Sequence, residues 1–270
     1  MQSQQISKCC LTIAGSDSGG NAGVQADLRA FHAYGLHGCT VFTALTAQNP
    51  FRVSAIHPVD AAFVGAQLDA VLGVYEIAAV KTGMLAEAAA IECVAEKLAA
   101  FPALATVVDP VMIATSGARL ADASAMTAAR ERLFPRATLL TPNLPEAEFL
   151  AGVSGAGRAA DVAWARELAA RLNGAFGCAV LVKGGHRGGS AAVDVLYDGR
   201  EYREFSAPWI AAPVSTHGTG CSLSSAIAAE LALGRTLAEA VRGGKEYVHR
   251  AIADSYYVGA DCGVLGFVSR

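Results

Sequence analysis

The chain has 270 residues, 53% hydrophobic and only 17% charged, with a net charge of −3. This composition excludes a disordered chain, and the scattered basic residues exclude the electrostatic footprint of a nucleic-acid binder. The polar start Met1–Gln5 lacks the basic-then-apolar layout of a secretion signal, and no apolar run is long enough to span a bilayer, so a cytoplasmic location with no membrane partner is expected.

Short runs rich in Val, Ile and Leu alternate with Ala/Leu helical patterns, the signature of repeated βα units in an α/β fold. The first strand is predicted at Cys10–Ala14 and runs into Ala14-Gly15-Ser16-Asp17-Ser18-Gly19-Gly20-Asn21-Ala22-Gly23 ahead of a helix over Ala22–Tyr34. Its glycines permit close backbone approach to a ligand, but no Gly-Lys-Ser/Thr follows, so it is not a P-loop; a capped tight turn is the plainer reading. The second strand, Thr40–Ala44, leads to Gln48, whose carboxamide can pair with the edge of an aminopyrimidine. A helix over Asp60–Gly73, a strand over Ala78–Lys81 and a helix over Ala86–Ala100 follow, with Met84 just after the strand. Asp27 and Met84 are expected to face the same cleft as Gln48, against the alternatives of a solvated carboxylate and core filling.

Strands over Thr106–Asp109 and Leu139–Thr141 bring Asp109, Asn143 and Glu146 to one edge of the sheet, with helices over Ser124–Leu133 and Leu144–Ala151 between and after them. Hard oxygen ligands there suit Mg²⁺ held with nucleotide phosphates, while Asn143 and Glu146 also fit an N-terminal cap with its first-turn Glu. Gly155-Ala-Gly157 resembles a dinucleotide loop but follows a helix, so it is set aside. A helix over Arg158–Leu172, a strand over Ala179–Lys183 and a hairpin around Asp198-Gly199 come next; Lys183 adds a cation for phosphate. The last third opens with Thr216-His217-Gly218-Thr219-Gly220-Cys221 and two helices, Cys221–Leu233 and Thr236–Ala253. Backbone N–H groups at such a helix start can hold a phosphoryl group, and the same position is expected to favour the Cys221 thiolate; an ordinary glycine turn is the alternative. Seven cysteines without C-x-x-C or zinc spacing are read as reduced thiols.

These segments together, with Gly23–Asp27, Thr43–Asn49, Lys81–Met84, Asp109–Met112, Thr141–Glu146 and Val182–His186, resemble the hydroxymethylpyrimidine/phosphomethylpyrimidine kinases of the ribokinase-like superfamily nearly end to end. The resemblance implies one domain over residues 1–270, with a central, mostly parallel sheet flanked by helices on both faces. It implies ATP and Mg²⁺ as cofactors, a small pyrimidine as substrate, and a homodimer. In the implied site Gly218, Thr219 and Gly220 form an anion hole and Cys221 is the base, where many superfamily relatives use Asp. Gln48 reads the pyrimidine, with Gly15, Asp27 and Met84 lining its pocket; Lys183, Asn143 and Thr216 serve the nucleotide, and Asp109 and Glu146 the metal. The implied reaction phosphorylates 4-amino-5-hydroxymethyl-2-methylpyrimidine and then its monophosphate, in thiamin biosynthesis or salvage. Thr115, Arg187 and Pro50-Phe51-Arg52 depart from the family pattern, and Arg52 is the candidate compensating charge for the second step. A pyridoxal or pyridoxine kinase and a catalytically silent pyrimidine sensor are the alternatives.

Overall fold

A computed structural model describes residues 8–112, 122–155, 161–184 and 191–266. Thr115 and Arg187 lie outside the described residues. The first half runs β1 (Cys9–Asp17), α1 (Gly23–Ala33), β2 (His37–Asn49), β3 (Arg52–Pro58), α2 (Ala61–Leu72), β4 (Ile77–Thr82), α3 (Ala88–Ala99) and β5 (Ala105–Val108). It continues with α4 (Ala123–Ala128), β6 (Leu139–Leu140), α5 (Leu144–Ala151), α6 (Val162–Phe176) and β7 (Ala179–Val182). The last part holds β8 (Ala191–Tyr197), β9 (Tyr202–Pro208), α7 (Thr219–Ala232), α8 (Leu237–Ala253), β10 (Tyr256–Gly259) and β11 (Cys262–Val264).

Nine strands form one sheet in the order β3-β2-β1-β4-β5-β6-β7-β8-β9. The pairs from β2 through β7 are parallel, and β3, β8 and β9 attach antiparallel at the two margins. The central strands alternate between two apolar layers, as the pleat requires. Leu11, Val80, Val108, Leu140 and Val180 face the layer built with α2 to α6, and Cys10, Ala79, Val107, Leu139 and Leu181 face α1, α7 and α8. The sheet is thus covered on both faces, which is why its strands read as continuous apolar runs.

Two hairpin strands escape the sequence pattern. β3 lies at the sheet edge, where Arg52, Ser54 and Ala55 are exposed and no apolar alternation marks it. The small β10–β11 hairpin exposes all of Tyr256–Gly259 for the same reason. The predicted helix from Ser124 to Leu133 divides into α4 and a π turn at Ala129–Leu133, followed by a 3₁₀ turn at Phe134–Arg136 in which Pro135 has no N–H to continue the ladder. Among the described residues no helix is long and apolar enough to cross a membrane, and none of the seven cysteines is bridged.

Chain direction reverses at β1: from this strand the order runs one way to β2 and the other way to β4. A crevice outside the carboxyl ends of the strands is expected at such a switch point. The ends of β1 and β4 carry Asp17 and Lys81-Thr82, and both open on the cleft described next.

Candidate active site

A cavity of about 1370 Å³ lies along the carboxyl ends of the strands. It exceeds the usual span for one small ligand, so it has room for two substrates side by side. Gly15, Gln48 and Met84 line one part of it; Asp109, Asn143, Glu146 and Lys183 line another; Thr216, Gly218, Thr219, Gly220 and Cys221 lie between.

The turn into α7 is shaped by Gly218, whose φ is +87°. A Cβ there would stand 1.9 Å from the Asn21 carbonyl oxygen, so the turn sits directly on the loop that follows β1. α7 has no side-chain cap, which leaves first-turn N–H groups for a ligand, and the helix dipole adds favour for an anion. Gly220 keeps the wall thin: a Cβ would meet Lys183 Nζ at 3.4 Å and Asp109 Oδ2 at 3.6 Å.

Cys221 is half-buried at this turn. The expectation of a favoured thiolate is corrected: burial pushes the thiol up, Asp27 and Asp109 add to the rise, and Lys81 and the Gly23 N–H only partly oppose it. The helix N-terminus is visible in sequence, but the two carboxylates behind it are brought there by α1 and β5.

Two buried Lys–Asp pairs flank the turn. Lys183 Nζ is 2.8 Å from Asp109 Oδ1, which Thr141 Oγ1 also reaches at 3.3 Å. Lys81 Nζ is 2.9 Å from both Asp27 oxygens, and both side chains are fully buried. Here a second expectation is corrected. Asp27 does not line the cavity; on α1 it shares the buried face with Val24, Ala30 and Phe31 and is held by Thr12, Lys81 and Ser225. Arg52 is exposed on the β2–β3 hairpin and is not on the cavity wall.

Asn143 and Glu146 form a capping box: Glu146 N donates to Asn143 Oδ1 at 2.9 Å, and Asn143 N to Glu146 Oε2 at 2.8 Å. The capping reading holds, and both residues also line the cavity. Burial raises Glu146 to about 7, opposed by Lys183 and reinforced by Asp109. From the ordinary carboxylate range up to about pH 7, the folded chain holds this proton more tightly than the unfolded chain, so stability falls as pH rises across that window. Glu146→Gln keeps a capping-box residue and removes the charge. It is expected to lower kcat/KM about 10²-fold, while Tm at pH 8 stays at or above that of the parent in calorimetry.

At the other end, Gly15 N donates to Met84 O at 3.1 Å, tying β1 to the turn after β4. Both backbone groups of Gln48 are held by Ser18 Oγ at 2.8 Å, which fixes the backbone of this cavity-lining residue. Asp17 pins the following loop, accepting from Gly19, Asn21 and Ala22 N–H at 2.8–2.9 Å. Burial would raise its carboxyl, but His217 and these N–H groups hold it below its ordinary value. The stability it confers is therefore present above the unfolded value and lost as pH falls through the folded one. Asp17→Asn should cost about 2–4 kcal/mol at pH 7, with the gap closing toward pH 3 in urea titrations.

Three contributors went unread in the sequence. Lys81 interrupts an apolar strand, His217 stands inside the glycine turn beside Asp17, and Asp194 on β8 pairs with Lys245 on α8 at 2.8 Å. A charge within a buried strand, at Lys81 and Asp194, is the signal that marks two of them.

The family described as phosphomethylpyrimidine kinase matches residues 17–266. The chain is 47% identical to a hydroxymethylpyrimidine/phosphomethylpyrimidine kinase of Rhizobium meliloti over 96% of this chain and 97% of that one. It is 48% identical to the thiamine biosynthesis bifunctional protein ThiED of Geobacter sulfurreducens, matching 90% of this chain but only 48% of the relative. An ADP complex of Bacillus subtilis pyridoxal kinase superposes with a TM-score of 0.87 at 34% identity, covering 98% of both chains. With a mostly parallel sheet, a cleft at its switch point, a glycine turn ending in Cys221 and these matches over most of its length, the chain belongs to the phosphomethylpyrimidine kinase family.

Proposed function

We propose that the chain transfers the terminal phosphoryl group of ATP to the 5-hydroxymethyl oxygen of 4-amino-5-hydroxymethyl-2-methylpyrimidine, and then to the resulting monophosphate, in thiamin biosynthesis. The observation that carries this reading is the placement of the Cys221 thiol and the uncapped start of α7 between the Gln48–Met84 end and the Lys183–Asn143 end of one cavity. Gln48 pairs with the ring edge, Gly15 and Met84 shape its pocket, and the N–H groups around Thr219 and Gly220 hold the migrating phosphoryl. Cys221 takes the hydroxyl proton in the first step. In the second step the nucleophile is already an anionic oxygen, so the base matters less and cationic positioning more.

Lys183, Asn143 and Thr216 belong to the nucleotide side. Glu146 and Asp109 stand beside one lysine, Lys183, and burial, with Asp109 adding to it, raises Glu146 to about 7. Among the described residues no group of three or more His, Cys, Asp or Glu side chains could hold a metal by itself. The donor set therefore fits Mg²⁺ brought in with nucleotide, held by Asp109 and Glu146 and completed by phosphate and water; such an ion neutralises phosphate charge. A homodimer and a cytoplasmic location complete the reading, with light scattering as the check on the dimer.

The deciding experiment measures ADP formation with hydroxymethylpyrimidine, its monophosphate and pyridoxal as separate acceptors. Turnover with the first two is expected. Preference for pyridoxal would favour the second reading, to which the 0.87 superposition on a pyridoxal kinase lends weight, and no turnover with any acceptor would sink both.

A further inference from the structure

Two buried ammonium groups flank the first turn of α7, and only Lys183, on the nucleotide side, has a role in the reaction proposed above. Lys81 stands on β4, which packs against α7, and its partner Asp27 accepts from Ser225 one turn into that helix. It is wholly shielded from solvent, yet it lines the cavity that Cys221 lines. A buried ion pair of this kind is poor evidence for stability, because a well-packed apolar pair does as well or better. Its place beside a reacting group is therefore what needs explaining.

The surrounding geometry is layered. In the first layer, at the starts of α1 and α7, the Gly23 N–H meets the Cys221 thiol. One turn deeper, Ser225 Oγ donates to Asp27 Oδ1 at 2.6 Å, and Thr12 Oγ1 to Asp27 Oδ2 at 2.5 Å. The Asp27 carboxylate is thus fixed from β1 and α7 while it clamps Lys81 through both oxygens. Among the described residues the Lys81 ammonium, which has three donors, hydrogen-bonds to that one carboxylate. Four charged groups act on the Cys221 sulfur: Lys81 from β4, Asp27 from α1, Asp109 after β5 and Lys183 after β7. Lys183 is neutralised by Asp109, and the Asp27 charge is spread over three partners, so the Lys81 ammonium is the favourable field on the acceptor side.

We propose that Lys81 is a positioning residue for phosphoryl transfer: clamped by Asp27, its ammonium stabilises negative charge on the Cys221 sulfur, so that the sulfur can take the acceptor's hydroxyl proton. The proton leaves the acceptor oxygen for sulfur as that oxygen forms its bond to phosphorus and the bond to the leaving ADP oxygen breaks. The rate effect rests on the alcohol-kinase reading, whereas the reactivity of the sulfur toward an alkylating agent does not.

The test follows iodoacetamide alkylation of the Cys221 peptide by mass spectrometry between pH 6 and pH 10, alongside steady-state kinetics. Lys81→Met should slow alkylation about tenfold throughout this range, the mark of a titration displaced upward by about one pH unit. Its kcat should fall about 10²-fold with KM for ATP little changed, and Lys81→Arg should recover part of both. If the lone buried Asp27 prevents Lys81→Met from folding, the double variant Lys81→Met/Asp27→Asn carries no unpaired charge and takes its place. There the upward displacement should be smaller but of the same sign, since losing Asp27 takes back part of what losing Lys81 adds and Lys81 acts more strongly at the sulfur. A folded variant whose alkylation profile overlays that of the parent overturns the proposal, whatever its kcat. An upward displacement without turnover of any pyrimidine upholds Lys81 and counts against the substrate reading alone.

Discussion

Replacing Cys221 with alanine should lower kcat with the hydroxymethyl acceptor by about 10²–10⁴-fold, the range for loss of a positioned general base. With the monophosphate as acceptor the loss should stay below about tenfold, because a phosphate oxygen needs no base to be nucleophilic. The half-buried side chain is small and alanine favours helix, so Tm should barely move. The raised thiol gives the prediction a pH signature. Below its titration the sulfur is protonated and cannot accept, so kcat/KM of the parent should climb between pH 7 and pH 9, and Cys221→Ala should flatten that climb. Equal losses with both acceptors would remove Cys221 from the role of base.

Gly218→Ala should be the more damaging change. At φ +87° a side chain is strained, at a cost of about 1–2 kcal/mol. The new Cβ would also stand 1.9 Å from the backbone oxygen of Asn21, a neighbour that cannot rotate away. The turn must therefore move, and a displacement of about 1 Å in a positioning group costs about 10²-fold. Because the turn carries both the anion hole and the base, kcat/KM should fall by about 10³-fold or more with either acceptor. Urea unfolding should show a loss of about 2–4 kcal/mol. Gly220→Ala is the control: its Cβ meets only ordinary contacts at 3.4 Å and beyond, so stability should hold. A Gly218→Ala protein with parental kinetics would mean that the turn is not the phosphoryl site.

Most of the architecture was legible because the sheet is buried on both faces. The central strands β1, β2, β4, β5, β6 and β7 had to be largely apolar, and helices had to alternate with them to cover the sheet. α5 falls at Leu144–Ala151 as read, because Asn143 and Glu146 cap its start and Gly152, at φ +65°, ends it. The edge strand β3 and the hairpin β10–β11 were illegible because half-exposed strands carry no continuous apolar signal. The turn at Thr216–Cys221 stood out because small residues open an apolar helix, and the Asn143–Glu146 pair because polar residues follow a buried strand.

By itself the sequence determined an α/β chain whose glycine turn, cysteine and strand-end polar groups belong to one sheet edge, since local propensity, burial pattern and strand-end position are properties of neighbouring residues. Only the tertiary structure decided which charges meet. Asp27, 54 positions before Lys81, turns away from the cavity to clamp it, whereas Asp109, 74 positions before Lys183, pairs with that lysine on the cavity wall. The state of the Cys221 thiol follows from both pairs, because electrostatic energy depends on distance and burial, which chain order does not encode.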